Sequence, residues 1–118
     1  MKQIQMLVRF IAKVVFKKDT DEFTALIEES ASGADVLQRE IAAYLKNGEI
    51  DKAENHLFDC IDTGNKYHLA VAADFYARLN CLSDEELETG NFSRDEVRDG
   101  LKTVTAMFGL DFGNEFFY

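Results

Sequence analysis

Apolar residues in this chain recur at intervals of three and four, the spacing that gathers side chains on one face of an α-helix. The first such segment predicts a helix over about Lys2 to Lys18 with the inward stripe Ile4, Leu7, Val8, Ile11, Val14 and Val15. Met6 and Phe10 widen this stripe at one edge, and Phe16 lies outside it. The resulting apolar surface is wider than one neighbouring helix usually covers.

Three shorter helices are predicted next. One begins near Asp19 or Thr20, with acidic residues in its first turn, and ends near Ser30. The next is capped by Ser32 with Asp35 three residues later, faces inward through Leu37, Ile41, Tyr44 and Leu45, and stops at Gly48. The last spans about Ile50 to Asp62 and faces inward through Ala53, Leu57, Cys60 and Ile61.

The fifth predicted helix is the most apolar. Asn65 can cap it, and it reaches about Asn80. Its inward residues cover well over half of its circumference: His68, Leu69, Val71, Ala72, Phe75, Tyr76 and Leu79. A helix that is apolar over so much of its surface is expected at the centre of the fold.

Two capping boxes begin the remaining helices. Ser83 with Glu86 and Ser93 with Glu96 have the required spacing. The final helix carries the stripe Val97, Leu101, Val104 and Phe108 and ends at Gly109. With no Pro and no alternating strand pattern, the 118 residues predict a single all-α domain, a bundle of six to seven short helices.

A short aromatic tail, residues 110–118, follows the helical body of residues 1–109. We expect its four rings to be buried, because exposed aromatic clusters are costly in water. They pack either on the chain's own core or on another molecule. With the two residues at the edge of the first helix they form the candidate interaction surface: Met6, Phe10, Phe112, Phe116, Phe117 and Tyr118.

The segment from Leu37 to Cys60 resembles a tetratricopeptide hairpin. The match rests on seven positions: Leu37, Ile41, Tyr44, Gly48, Ala53, Leu57 and Cys60. Ile41 and Leu57 depart from the preferred residue types, and Asn65 stands where the repeat has Pro. One 34-residue period further on, the pattern is poor, so we expect one repeat-like hairpin within a closed bundle.

A wider resemblance covers nearly the whole chain. The segments MKQIQMLVRFIAKVVFKKDT, GEIDKAENHLFDCID and FYARLNCLSDEELETGNFSRDEVRDGL are similar to those of a family of short all-helical bacterial proteins of unknown function, chiefly from Gram-positive species. The resemblance implies a helical fold and a cytoplasmic setting. It implies no activity and no site residues.

Charge argues against two classes of partner. The net charge is −9, and the first 18 residues contain five basic residues and no acid, so the rest of the chain is still more acidic. Such a body repels phosphate backbones and anionic lipid, which argues against nucleic-acid binding and against a membrane role for the basic first helix. Two Cys are too few for a disulfide framework and fit a reducing compartment.

No metal, cofactor or catalytic residues are assigned. His56 and Cys60 lie one helical turn apart, but His68 and Cys81 stand at opposite ends of another predicted helix, so the four do not form a zinc set. We expect boundary histidines and core thiols instead. No phosphate loop, zinc-protease motif or nucleophile elbow is present.

Two functions follow from these patterns. The first is a non-enzymatic protein that forms homo-oligomers or binds another protein through its surface. The alternative is a small-molecule-binding or catalytic protein with a pocket beside the helix of residues 65–80. An ordered pocket beside that helix would favour the alternative, and a large apolar face on a symmetry axis would favour the first.

Overall fold

The computed structural model describes residues 2–17, 23–30 and 32–110. Within these ranges the chain forms seven α-helices and no strand, which confirms the all-α prediction. The helices are α1 (Lys2–Val15), α2 (Thr24–Glu29), α3 (Ala34–Lys46), α4 (Ile50–Cys60), α5 (Lys66–Asn80), α6 (Asp84–Thr89) and α7 (Arg94–Met107).

Helix α5 is the centre of the molecule, as its apolar circumference predicted. It packs against α1, α2, α3 and α7. Phe75 and Tyr76, both buried, lie at its middle with ring centroids 4.9 Å apart. The predicted inward stripe of α1 is buried at Ile4, Leu7 and Val8. The core is therefore built around one helix, and each of these four neighbours presents its apolar face to it.

Helices α3 and α4 form a hairpin that turns at Gly48. Gly48 has φ of 74°, a left-handed conformation that glycine adopts without steric cost. Its N–H donates to the carbonyl of Leu45, and the N–H of Glu49 donates to that of Tyr44, so both carbonyls at the helix end are satisfied. The predicted stop is confirmed. The likeness of this hairpin to a tetratricopeptide unit stays a prediction.

The starts of α2 and α3 compare differently with the prediction. Helix α2 is described from Thr24, after the fully buried Phe23. The predicted start near Asp19 or Thr20 lies outside the described residues. Helix α3 begins at Ala34, and Gly33, with a left-handed φ of 86°, stands at its N-cap, one residue after the predicted Ser32. The Ser32 hydroxyl still accepts the Ala34 N–H at 3.3 Å, so it bonds to the first turn of the helix.

The two predicted capping boxes have different outcomes. At α6 both bonds form: the Glu86 N–H donates to Ser83 Oγ, and the Ser83 N–H donates to the Glu86 carboxylate, each at 3.1 Å. At α7 only the first bond forms, from the Glu96 N–H to Ser93 Oγ at 3.2 Å. The Glu96 carboxylate instead accepts from the Ser93 hydroxyl at 3.3 Å.

The two thiols are not in the core. Cys60 and Cys81 are both exposed, which corrects the expectation of core packing. Helix α4 ends at Cys60, before the predicted Asp62, and the half-buried Ile61 continues as extended chain. The inward face of α4 is formed by Ala53 and Leu57 without help from the thiol.

Phe16, which the helical pattern left outside the stripe of α1, packs after that helix has ended. Its ring lies 6.2 Å from that of Phe23 and 5.6 Å from that of Tyr67, and the Lys66 ammonium lies 5.6 Å from its centroid. A change in backbone direction redirects the side chain, which a helical projection does not anticipate.

Among the described helices, none has the length and apolar content needed to cross a bilayer.

Candidate functional site

The predicted interaction surface is described only at its α1 edge. Met6 is 59% exposed and Phe10 is 39% exposed. The other four members, Phe112, Phe116, Phe117 and Tyr118, lie outside the described residues. The structure therefore places an accessible apolar residue on α1 where the sequence predicted one, and the joining of α1 to the tail stays a prediction.

A groove of about 560 Å³ lies beside the C-terminal half of α5. Its floor is apolar, with the buried Ile50 and Leu79 at the base and the half-buried Leu45 and Leu82 at the sides. The end of α3, the start of α4, the end of α5 and α6 all contribute to it. Its volume is in the range of pockets that hold small organic ligands.

Polar side chains surround this floor. Lys46 ends α3, Arg78 lies on the last turn of α5, and Glu86 and Thr89 belong to α6; all four are exposed. Lys46 makes no ion pair within the described ranges. One oxygen of the Glu86 carboxylate already accepts a hydrogen bond, from the Ser83 N–H in the capping box. The groove thus joins an apolar surface to two cations and one carboxylate.

A network behind the groove positions Arg78. Its Nε lies 3.0 Å from the Asp74 carboxylate, four residues earlier on the same helix. The side-chain amide of Gln38 donates to the same Asp74 oxygen at 3.2 Å and to Thr24 at 3.3 Å. Because the ion pair uses Nε, the two Nη groups of the guanidinium are separate donors that can serve a ligand. This arrangement suits binding, since the carboxylate fixes the stem of Arg78.

A second polar cluster, which we call the junction, joins α4, α5 and α7. The Tyr76 hydroxyl donates to Glu54 Oε2 at 2.7 Å. Gly100 of α7 packs against both, because a Cβ added there would clash with Tyr76 Oη and would lie 2.6 Å from Glu54 Oε2. The absence of a side chain at Gly100 therefore allows α7 to approach the pair closely.

Burial governs the titration of the junction. It raises the pKa of Glu54 above its ordinary value; the hydrogen bond from Tyr76 opposes this shift, and the negative charge of Glu96 adds to it. Burial also raises the pKa of Tyr76, and the nearby Glu54 carboxylate raises it further. Neither side chain lines the groove. The junction is a structural connection between helices.

His56 and Cys60 come together on α4 as their spacing predicted. The thiol sulfur lies 3.7 Å from Nε2 and 3.9 Å from Nδ1 of the imidazole. Nε2 also lies 3.4 Å from the Glu40 carboxylate of α3, and the Tyr44 ring packs on the imidazole with centroids 5.6 Å apart. His56 is a half-buried boundary residue, as expected.

His68 closes the connection between α4 and α5. Its Nδ1 accepts the Asp62 N–H at 2.9 Å, which requires that this nitrogen carry no proton. Burial lowers the pKa of His68, and the nearby Asp62 carboxylate opposes that shift. His68 thus lies at the start of α5, and Cys81 is the C-cap at its other end. Within the described ranges, no three His, Cys, Asp or Glu side chains are grouped to hold a metal ion.

A family of unknown function, DUF6483, matches residues 1–109 of this chain. The chain belongs to that family. The division of the chain into a helical body and an aromatic tail stays a prediction. No curated protein and no solved structure is significantly similar to the chain.

Sequence reasoning placed a pocket beside residues 65–80 but named none of its residues. Leu79 and Leu82 can be inferred from the apolar face of α5. Lys46 and Arg78 cannot, because charged residues at helix ends are ordinarily solvated. The sequence pattern does not indicate the junction either. It places Tyr76 in the core but not beside Glu54, and no local pattern marks Gly100 as a close approach between helices.

Proposed function

We propose that this protein is a non-enzymatic binding protein that takes a small apolar molecule into the groove between α3, α5 and α6. The observation that carries the proposal is the groove itself: about 560 Å³ above an apolar floor formed by Leu45, Ile50, Leu79 and Leu82. Burying apolar surface is worth about 25 cal/mol per Å², so a ligand that covers the half-buried Leu45 and Leu82 gains free energy.

Binding, rather than catalysis, fits the side chains of the groove. Glu86 bonds to the helix cap, and Arg78 bonds to Asp74. General acid–base catalysis needs a group that is free to exchange a proton with a bound substrate, and these two side chains already bond to partners within the protein. The chain has only two cysteines, and both are exposed free thiols, which supports a reducing, cytoplasmic setting for this binding.

The experiment uses N-phenyl-1-naphthylamine, a neutral apolar fluorophore that brightens in an apolar site. The unsubstituted chain should bind it saturably with one site. Leu45→Gln should weaken binding about tenfold or more, because it places an amide against the apolar body of the probe.

The matched control is Leu26→Gln, which changes a half-buried leucine of α2 outside the groove. It should leave probe affinity unchanged, and circular dichroism should show that both variants stay helical. No saturable binding to the unsubstituted chain, or equal loss in the two variants, would refute the proposal.

A second candidate function is self-association, supported by the exposure of Met6 on α1. A two-fold dimer would bury this patch against its own copy, and a stable interface needs about 1,200 Å² or more. Light scattering coupled to size exclusion should then give a dimer or a larger species, and Phe10→Glu should shift it toward monomer with helicity kept. A clean 13.4 kDa species at high concentration would eliminate this candidate.

A further inference from the structure

We infer that the groove selects organic anions: molecules with an apolar body and one acidic head group, such as a carboxylate or sulfonate. The inference rests on the proposed function and adds the chemical class of the ligand. The apolar body would cover the half-buried Leu45 and Leu82, and the head group would pair with Arg78 and Lys46.

Charge complementarity supports this class. The chain as a whole carries −9, yet two of the three charged side chains that line the groove are cations. The third, Glu86, already accepts a backbone N–H, which satisfies part of its hydrogen-bonding capacity. A neutral ligand would leave the Lys46 ammonium and the Nη groups of Arg78 without a charged partner in the ligand, and a cationic ligand would be repelled by Lys46.

The geometry of Arg78 adds direction. Asp74 holds its Nε at 3.0 Å, and Gln38 holds Asp74 in turn. The planar fork of an arginine can bind an oxyanion through its Nη groups while Nε stays engaged. Because the stem is already fixed, a ligand loses less side-chain entropy on binding than it would with a mobile arginine. Lys46 supplies a second, more adaptable charge from α3.

The size of the groove limits the ligand to a small molecule. Pockets of 300 to 1,000 Å³ hold ligands of drug or metabolite size, and this groove falls in that range at about 560 Å³. The ligand is therefore a free organic anion rather than an acidic segment of another protein, which would need a longer surface.

The test compares two probes with the same aromatic body. 1-Anilinonaphthalene-8-sulfonate carries one sulfonate, and N-phenyl-1-naphthylamine is its neutral counterpart. Both are titrated into the full chain at low and high salt. The sulfonate probe should bind more tightly than the neutral one at low salt, and this advantage should shrink as salt screens the two cations.

Variants locate the effect. The double substitution Arg78→Gln with Lys46→Gln should raise the Kd of the sulfonate probe about tenfold and leave the Kd of the neutral probe within about twofold, because only the sulfonate forms charged hydrogen bonds, which solvent exposure weakens. The matched control is Arg39→Gln with Lys13→Gln. Arg39 also forms an ion pair with an Asp four residues earlier, Lys13 is exposed on α1, and neither lines the groove.

The outcomes separate the two proposals. Anion selection alone would be overturned in two cases in which the neutral probe still binds at the groove. In the first, the groove double substitution leaves the affinity for the sulfonate probe unchanged. In the second, the control double substitution lowers that affinity equally. A chain that binds no neutral probe would overturn the proposed function. Circular dichroism of each variant excludes unfolding as the cause of a lost signal.

Discussion

Single glycines fix two features of this fold for different reasons. Gly48 is needed for its backbone conformation, since its φ is 74° and no atom lies within 4 Å of an added Cβ. Gly100 is needed for space, because it lies inside α7 against Tyr76 and Glu54. The two positions allow strain in the backbone to be separated from crowding between helices.

The Gly48 position tests backbone strain. Gly48→Val should lower the free energy of unfolding by about 1–2 kcal/mol, the cost of a left-handed conformation for a residue with a Cβ. Gly48→Asn should cost less, because asparagine tolerates this region. Urea denaturation of the three chains measures the series. Equal stability of the valine variant and the unsubstituted chain would contradict the hairpin geometry.

Crowding is tested at Gly100. A Gly→Ala change inside a helix ordinarily stabilises by about 1 kcal/mol, but here we expect Gly100→Ala to destabilise by about 1–3 kcal/mol, since the new methyl group meets Tyr76 Oη. In a Tyr76→Phe background the same change should cost less, because the hydroxyl is gone.

The measurement is a double-mutant cycle from chemical denaturation. Thr103→Ala, an exposed change on the same helix, is the control and should stay within about 0.5 kcal/mol of the unsubstituted chain. A stabilising Gly100→Ala would show that α7 does not approach the junction closely.

Between elements, hydrogen bonds to loops hold the helices in place. The connection from α4 to α5 depends on His68, whose Nδ1 accepts the Asp62 N–H and whose pKa is lowered by burial. A protonated imidazole cannot accept that bond. Because the native state binds the proton less readily than the unfolded chain, this contribution is complete above pH 6.5 and is lost as the pH falls through the native pKa.

The His68 contribution gives a pH prediction. The stability advantage of the unsubstituted chain over His68→Gln should be constant above pH 6.5 and shrink as the pH falls below it. Glu54 has the opposite effect, because its raised pKa makes the free energy of unfolding fall as the pH rises above 4.5. This effect is the same in both chains, which differ only at residue 68, so it cancels in the comparison.

Urea unfolding at several pH values, with an NMR titration of the His68 ring, provides the data. An advantage independent of pH, or a ring midpoint above 6.5, would contradict the assignment.

For the whole molecule, the hydrophobic core is the expected source of stability. A chain of 118 residues can bury about two-thirds of its unfolded surface without a metal or a disulfide. The apolar faces of α1, α2, α3 and α7 meet on α5, and the described part of the chain has no buried side-chain N or O atom without a hydrogen-bond partner. We expect such a core to fold without a bound metal or a disulfide.

Metal independence is the corresponding prediction. Purified protein should contain less than stoichiometric zinc, and a chelator should leave the helical circular dichroism signal and the melting temperature unchanged, because no folding free energy is expected from metal binding. Elemental analysis before and after chelation is the measurement. One zinc per chain, lost together with helicity in a His56→Ala variant, would show that the His56 and Cys60 pair is a ligand site.

Local sequence patterns specify the helices and the helix ends that depend on neighbouring residues. The stop at Gly48, the cap at Asn65 and the complete box at Ser83 are predictable because each involves residues within a few positions of one another. The central role of α5 follows from its apolar circumference. The N-cap of α3 lies at Gly33, one residue after the predicted Ser32, because a left-handed glycine precedes the helix.

The sites that several helices form together depend on how those helices pack. The groove brings Lys46 of α3 to Arg78 of α5, and the junction brings Glu54, Tyr76 and Gly100 together from three helices. Neither set is periodic or adjacent in the sequence, because the positions are related by how the helices pack and not by the helical repeat. A helical pattern states which face is buried, whereas the distances between charges on different helices arise only when those faces meet.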